Sequence, residues 1–193
     1  MDSRFQRTAR SVAAVVLAIG VATLGVPAQA AGAAPEDRAG PDGEIGDLAE
    51  LIATTAPYHD VNEAIEDGWA VEPMCMDYPD GYYGEGPGAM GHHFYNADYI
   101  LDGGHVEPSQ PELILYEKRA DGSWRLSAVE YVIPARDLPP TSEPPTMFGQ
   151  EFRFYPEVGA AGIWGLHVWV WRHNPHGLYA NVNPRVSCEH AGR

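Results

Sequence analysis

The sequence predicts an α+β fold, with N-terminal helices packed on a mostly antiparallel β-sheet and one disulfide holding the ends. Three observations carry this expectation. Apolar residues recur at helical spacing between residues 44 and 68. From Met90 onward, short alternating or apolar runs are separated by turn signals, as strands are. The chain has only two cysteines, Cys75 and Cys188.

The elements follow in order. Leu48, Leu51, Ile52, Tyr58, Val61 and Ile65 form the helical pattern, with Gly68 as a stop. Pro57 falls inside it and should divide it in two, with Asp60, Asn62 and Glu63 suited to a fresh start. Residues 73–91 are rich in Gly, Pro and Tyr and read as a long irregular loop, within which 78–88 could form a lid or a sugar-stacking surface. Met90–Tyr95 reads as a short strand. Glu112–Lys118 and Trp124–Ile133 read as a hairpin around Ala120-Asp121-Gly122-Ser123. The Pro-rich segment 134–145 suits neither a helix nor a central strand. Phe148–Tyr155 alternates and is expected as one strand. Ile163–Arg172 is the strongest strand, with Leu166, Val168 and Val170 on one face and His167, Trp169 and Trp171 on the other. After the turn signal Asn174-Pro175-His176-Gly177, Tyr179–Ser187 reads as a last strand leading to Cys188.

The N-terminus predicts export. Arg4, Arg7 and Arg10 precede an uncharged run from Ser11 to Val26, and Ala28-Gln29-Ala30 supplies small residues for cleavage after Ala30. The apolar run is shorter than the ~20 residues that span a bilayer. Residues 1–30 thus read as a signal peptide, 31–43 as a disordered linker and 44–193 as a single domain. No cysteine near the cut offers a lipid anchor. Without residues 1–30 the chain keeps 9 Lys and Arg against 26 Asp and Glu. Such acidity argues against nucleic acid and anionic lipid as partners. In an oxidising extracytoplasmic compartment the two cysteines are expected to pair, since they form no C-x-x-C metal motif.

Strand parity marks candidate chemistry. Adjacent residues of a strand face opposite ways, so His93 shares a face with Tyr95, and His92 with Phe94. Glu130 shares parity with Leu126, Ala128 and Val132, which would put a carboxylate among apolar residues. Glu117 does likewise with Leu113 and Leu115. A buried carboxylate is costly unless paired, protonated or bound to metal. His93, Glu130 and His167 are therefore candidate ligands of a divalent transition metal (Zn, Cu or Fe), with Glu117 as a fourth ligand or an orienting group. In the opposing reading, the histidines are ordinary core residues and each Glu pairs with one of Arg125, Arg136, Arg153 or Arg172. A further reading needs no metal: Glu130 and a histidine act as an acid–base pair in a pocket lined by Trp124, Tyr131, Trp169 and Trp171. Nucleophilic catalysis is disfavoured, since no G-x-S-x-G occurs and both cysteines are committed.

Several blocks also carry a resemblance. Gly88-Ala89-Met90-Gly91-His92-His93, Leu115-Tyr116-Glu117, Val129-Glu130-Tyr131, Leu166-His167-Val168-Trp169-Val170-Trp171 and Asn183-Pro184-Arg185-Val186-Ser187-Cys188 occur in that order. Together they resemble a group of small exported bacterial proteins with no assigned activity, across residues 45–190. The resemblance implies export and one domain but no reaction. Its blocks hold the residues that parity marks. Three functions follow as expectations: a metal-binding extracytoplasmic protein, a pocket protein for a small apolar ligand, or a structural module of the envelope.

Overall fold

The computed structural model describes residues 41–140 and 143–192. The expected signal peptide, its cut after Ala30 and most of the linker lie outside these residues.

A helix, α1, runs from Pro41 to Thr55, so the last three residues assigned to the linker are helical. Proline suits a first helical turn, because its fixed φ is already helical and its missing N–H has no partner there. The break expected at Pro57 is a short 3-10 turn over Ala56–His59. Helix α2, Val61–Glu66, starts afresh, with the Asp60 side chain accepting from the Asn62 N–H at 2.9 Å.

Six strands form a curled antiparallel sheet. They are β1 (Ala70–Tyr78), β2 (Gly88–Tyr95), β3 (Leu113–Lys118), β4 (Trp124–Pro134), β7 (Arg153–Tyr155) and β8 (Ile163–Val168). Their order across the sheet is β1-β2-β3-β4-β8-β7. Strands β5 (Thr146–Met147) and β6 (Gln150–Glu151) make a separate two-stranded ribbon, and α3 spans Ala97–Ile100.

Apolar residues collect on both faces of the sheet. One cluster joins Phe94, Ile114, Tyr116, Leu126, Val129, Tyr131 and Leu166 to Leu51 and Ala64 of the helices. The Tyr116 hydroxyl donates to the Tyr58 carbonyl, and the Trp171 indole N–H donates to the Thr55 hydroxyl. The other cluster joins Met90, Leu113, Leu115, Ala128 and Val132 to Trp169, Val182 and Val186. Cys75 and Cys188 are bonded, with a Cα–Cα distance of 5.7 Å. The bridge ties the last segment to the outer strand β1, opposite His92 of β2.

Four expectations change. Residues 73–91 are not one loop: β1 extends to Tyr78 and β2 begins at Gly88. Pro73 is tolerated because β1 is an edge strand, where a lost N–H breaks no inner ladder. Phe148–Tyr155 is not one strand, because Phe148 and Gly149 both take positive φ (52° and 66°) and turn the chain into the β5–β6 hairpin. The strongest strand stops at Val168. Trp169 stays on the side of His167, whereas Trp171 packs against His59 and the helices. Finally, Tyr179–Ser187 makes no strand beyond a single bridge from Asn183 to Ala89.

Candidate metal centre

The site is built by register. Glu130 of β4 stands directly opposite His167 of β8, so their side chains rise from the same face. His93 lies on β2, beyond β3, opposite Leu115. Curl in the sheet and the length of the side chains bring the three together over Leu113 and Leu115. The Nε2 of His93 lies 3.4 Å from Glu130 Oε2, and the Nε2 of His167 lies 3.6 Å from the same oxygen. One donor atom from each of the three residues lies within 4.8 Å of the others. All are buried, at 6 % exposure for His93, 6 % for Glu130 and 2 % for His167.

These distances are long for hydrogen bonds. They match another geometry: ligands about 2.1 Å from a tetrahedral ion stand about 3.4 Å from one another. Neither nitrogen of His167, nor Nδ1 of His93, has a hydrogen-bond partner among the described residues. A buried polar atom left so is expensive.

Charge fits the same arrangement. Burial is the largest influence on the Glu130 carboxyl and opposes its ionisation. The nearby imidazoles of His167 and His93 together outweigh it, so the carboxyl lies below its ordinary range. Burial also holds His167 below the ordinary imidazole value, with Glu130 pulling the other way. A carboxylate and a neutral ring are the forms that bind a metal, and the two shifts run in those directions.

Glycine makes the room. Gly165 precedes His167 by two residues and shares its face. A Cβ there would come within 2.9 Å of the Tyr155 ring and 3.0 Å of Glu130 Oε1. Tyr155 is in turn fixed by its hydroxyl, which donates to the Asn181 side chain. Glu85 holds Asn181 by accepting from its backbone N–H at 2.9 Å and its side-chain amide at 2.5 Å. Sequence reasoning passed over Tyr155, Gly165, Glu85 and Asn181. Only Gly165 carried a signal, as an isolated glycine inside a strong strand.

Glu117 does not join the centre. Leu113, not Glu117, is the β3 residue opposite Glu130, and the four residue steps from Leu113 to Glu117 span about 13 Å. Glu117 instead pairs with Arg125 at 3.2 Å and accepts from the Ser187 N–H at 3.2 Å. A β-bulge explains this. Leu115 pairs with Ala128 but Tyr116 with Leu126, leaving Ser127 unopposed. Leu126 therefore turns to the opposite face from Ala128, against the expected parity, and Arg125 comes level with Glu117. The arginine-pairing reading thus holds for Glu117. Among the described residues, Glu130 has no such partner and meets only the two imidazoles.

A cavity of about 370 Å³ opens onto His93, Glu130 and His167. None of Trp124, Tyr131, Trp169 and Trp171, the aromatics expected to line it, does so. Trp124 packs with His92 and Phe94 on the far face, and the Tyr131 hydroxyl donates to the Pro108 carbonyl. Tyr78, Tyr82, Tyr95 and Tyr155 take their place.

No helix among the described residues is long and apolar enough to cross a membrane. That and the disulfide are compatible with an extracytoplasmic location. No protein-family model, curated protein or solved structure matches the chain.

Proposed function

We propose that this is an exported protein that binds one divalent transition metal through His93, Glu130 and His167, with an open coordination position facing the cavity. It would belong with the small exported bacterial proteins it resembles. The observation that carries the metal reading is the convergence of three buried donor atoms within 4.8 Å of one another, each histidine nitrogen 3.4 or 3.6 Å from the carboxylate and neither histidine with another hydrogen-bond partner among the described residues. Two imidazoles and one carboxylate suit Zn, Cu or Fe, and the same set serves catalytic zinc and non-haem iron. Both of those keep positions free for water or substrate.

Elemental analysis tests this on tag-free mature protein from metal-replete cells. The expected result is about one equivalent of a transition metal, and less than about a tenth would overturn the reading. Glu130→Gln and His167→Ala should weaken metal binding by about 100-fold or more, whereas Glu117→Gln should leave it unchanged. The cavity supports a second reading, in which Glu130 and a histidine exchange protons with a ligand and no metal takes part. Under that reading Glu130→Gln changes ligand binding in a protein that never takes up metal. If the residues only lock the core, the same variants change melting temperature alone.

A further inference from the structure

The wall of the cavity, taken with the charge of the triad, points to a class of ligand. This inference rests on the metal reading. His93, Glu130 and His167 line the cavity together with side chains such as Met76, Met90, Val132 and Ile163, tyrosine rings and the exposed Glu72. Two of these tyrosines have hydroxyls engaged elsewhere. Tyr155 donates to Asn181, and Tyr82 donates to Glu157 at 2.8 Å. They offer ring surface to the cavity rather than hydrogen bonds. Among the described residues of the wall, Arg136 is the only arginine or lysine. Its guanidinium is largely exposed and lies 3.6 Å from Asp137. Away from the triad, the described lining offers no buried cation to hold a phosphate or a polyanion.

Charge sets the other end of the ligand. A dication with one carboxylate and two neutral imidazoles keeps a net charge of +1 among three largely buried side chains. A single anionic oxygen would neutralise it, and an uncompensated buried charge is costly. Flat apolar bodies pack well against ring faces and methionine sulfur.

We propose that the cavity takes a small, flat, apolar molecule bearing one anionic oxygen donor, a carboxylate or phenolate, which binds the metal while its body lies against the Met and Tyr wall. At about 370 Å³ the cavity is of the size that holds such a molecule.

The experiment uses the metal-loaded mature protein, with metal content measured first. Three probes separate the two halves of the ligand: benzoate (body and anion), acetate (anion alone) and benzamide (body alone), titrated by calorimetry. Benzoate should bind about tenfold or more tighter than either of the others, from the area of ring buried. Ala161→Trp, in the exposed turn that forms part of the wall, should remove that preference and leave metal content intact. Equal binding of benzoate and acetate by metal-loaded protein would overturn the proposal and leave the metal reading standing. Equal binding of benzoate with and without metal would also overturn it. Protein that takes up no metal overturns the metal reading first, and this proposal with it.

Discussion

At the scale of single residues, the centre depends on a side chain that is missing. Glu130 Oε1 and the Tyr155 ring both lie over Gly165, where a methyl group would come within 3.0 Å and 2.9 Å of them. Gly165 is buried, so the neighbours must shift rather than the methyl escape. Gly165→Ala should therefore move Glu130 away from His93 and His167. We expect metal affinity to fall by about 10- to 100-fold and stability by about 1–3 kcal/mol. Metal titration and urea unfolding of the same variant check both. Unchanged affinity would mean that Glu130 does not need its present position. Residue types alone marked His93, Glu130 and His167 as odd, because polar groups on apolar faces are expensive. They did not separate Glu130 from Glu117, which looked equally misplaced. The difference is a neighbour: Arg125 stands beside Glu117, and only imidazoles stand beside Glu130.

At the scale of elements, irregularities in the strands decide what faces what. The bulge at Ser127 reverses the facing of Leu126 and Arg125 relative to Ala128 and Glu130. Gly91 produces a similar irregularity in β2. It takes φ of 92° where the β1–β2 register shifts, and a Cβ there would meet the Tyr116 carbonyl oxygen at 2.5 Å. Met90 and His93 thereby share the cavity, although simple alternation would part them. Alternation is legible in a sequence, but an extra residue in one strand is defined only by its partner strand. A second device lies at the start of β3. The Glu112 carboxyl group accepts from the Val132 N–H at 2.8 Å, adding a rung to the β3–β4 ladder through a side chain. Burial raises this carboxyl to about 8, against the hydrogen bond from Val132. Its folded pKa therefore lies above the unfolded value near 4.5. Its contribution to stability is full below pH 4.5 and is lost as pH rises through 8. Unfolding followed by denaturant from pH 4 to 9 should show this decline, on the order of a few kcal/mol, and Glu112→Gln should flatten it. An equal slope in both proteins would assign the pH dependence to other groups.

At the scale of the whole molecule, one covalent link and several polar clamps bring the chain's last segment onto the face that carries the centre. Glu85 binds the backbone at Asn181 and Val182, and Asn174 donates to the Val182 carbonyl at 3.0 Å. The Trp169 indole N–H donates to the Ala180 carbonyl at 2.6 Å, under a ring that lies nearly parallel to His167. The disulfide closes this arrangement across a sequence separation of 113 residues. Loop-closure entropy for that length is worth about 4–5 kcal/mol. Replacing Cys75 and Cys188 together by Ser should lower the melting temperature by about 10–15 °C for a domain of this size. Differential scanning calorimetry reads the shift. A change of only a degree or two would show that the clamps suffice without the bond.

The sequence by itself determined the local features. These were the break at Pro57 and the restart at Asp60, the β3–β4 hairpin, the pairing of the only two cysteines, and the face on which His93 sits. Each depends on residues near in the chain, on counting, or on a period of two within one strand. Tertiary structure decided the rest. It dropped Glu117 from the ligand set, exchanged the expected tryptophans for tyrosines around the cavity, and placed Gly165 and Tyr155 beside Glu130. Those outcomes depend on register between strands far apart in sequence and on how the sheet curls, and no local pattern encodes either. The three candidate ligand residues come from β2, β4 and β8, and their candidacy was visible in the sequence. Their meeting at a few ångströms was not, because it takes the whole sheet to bring β2 and β8 to the two sides of Glu130.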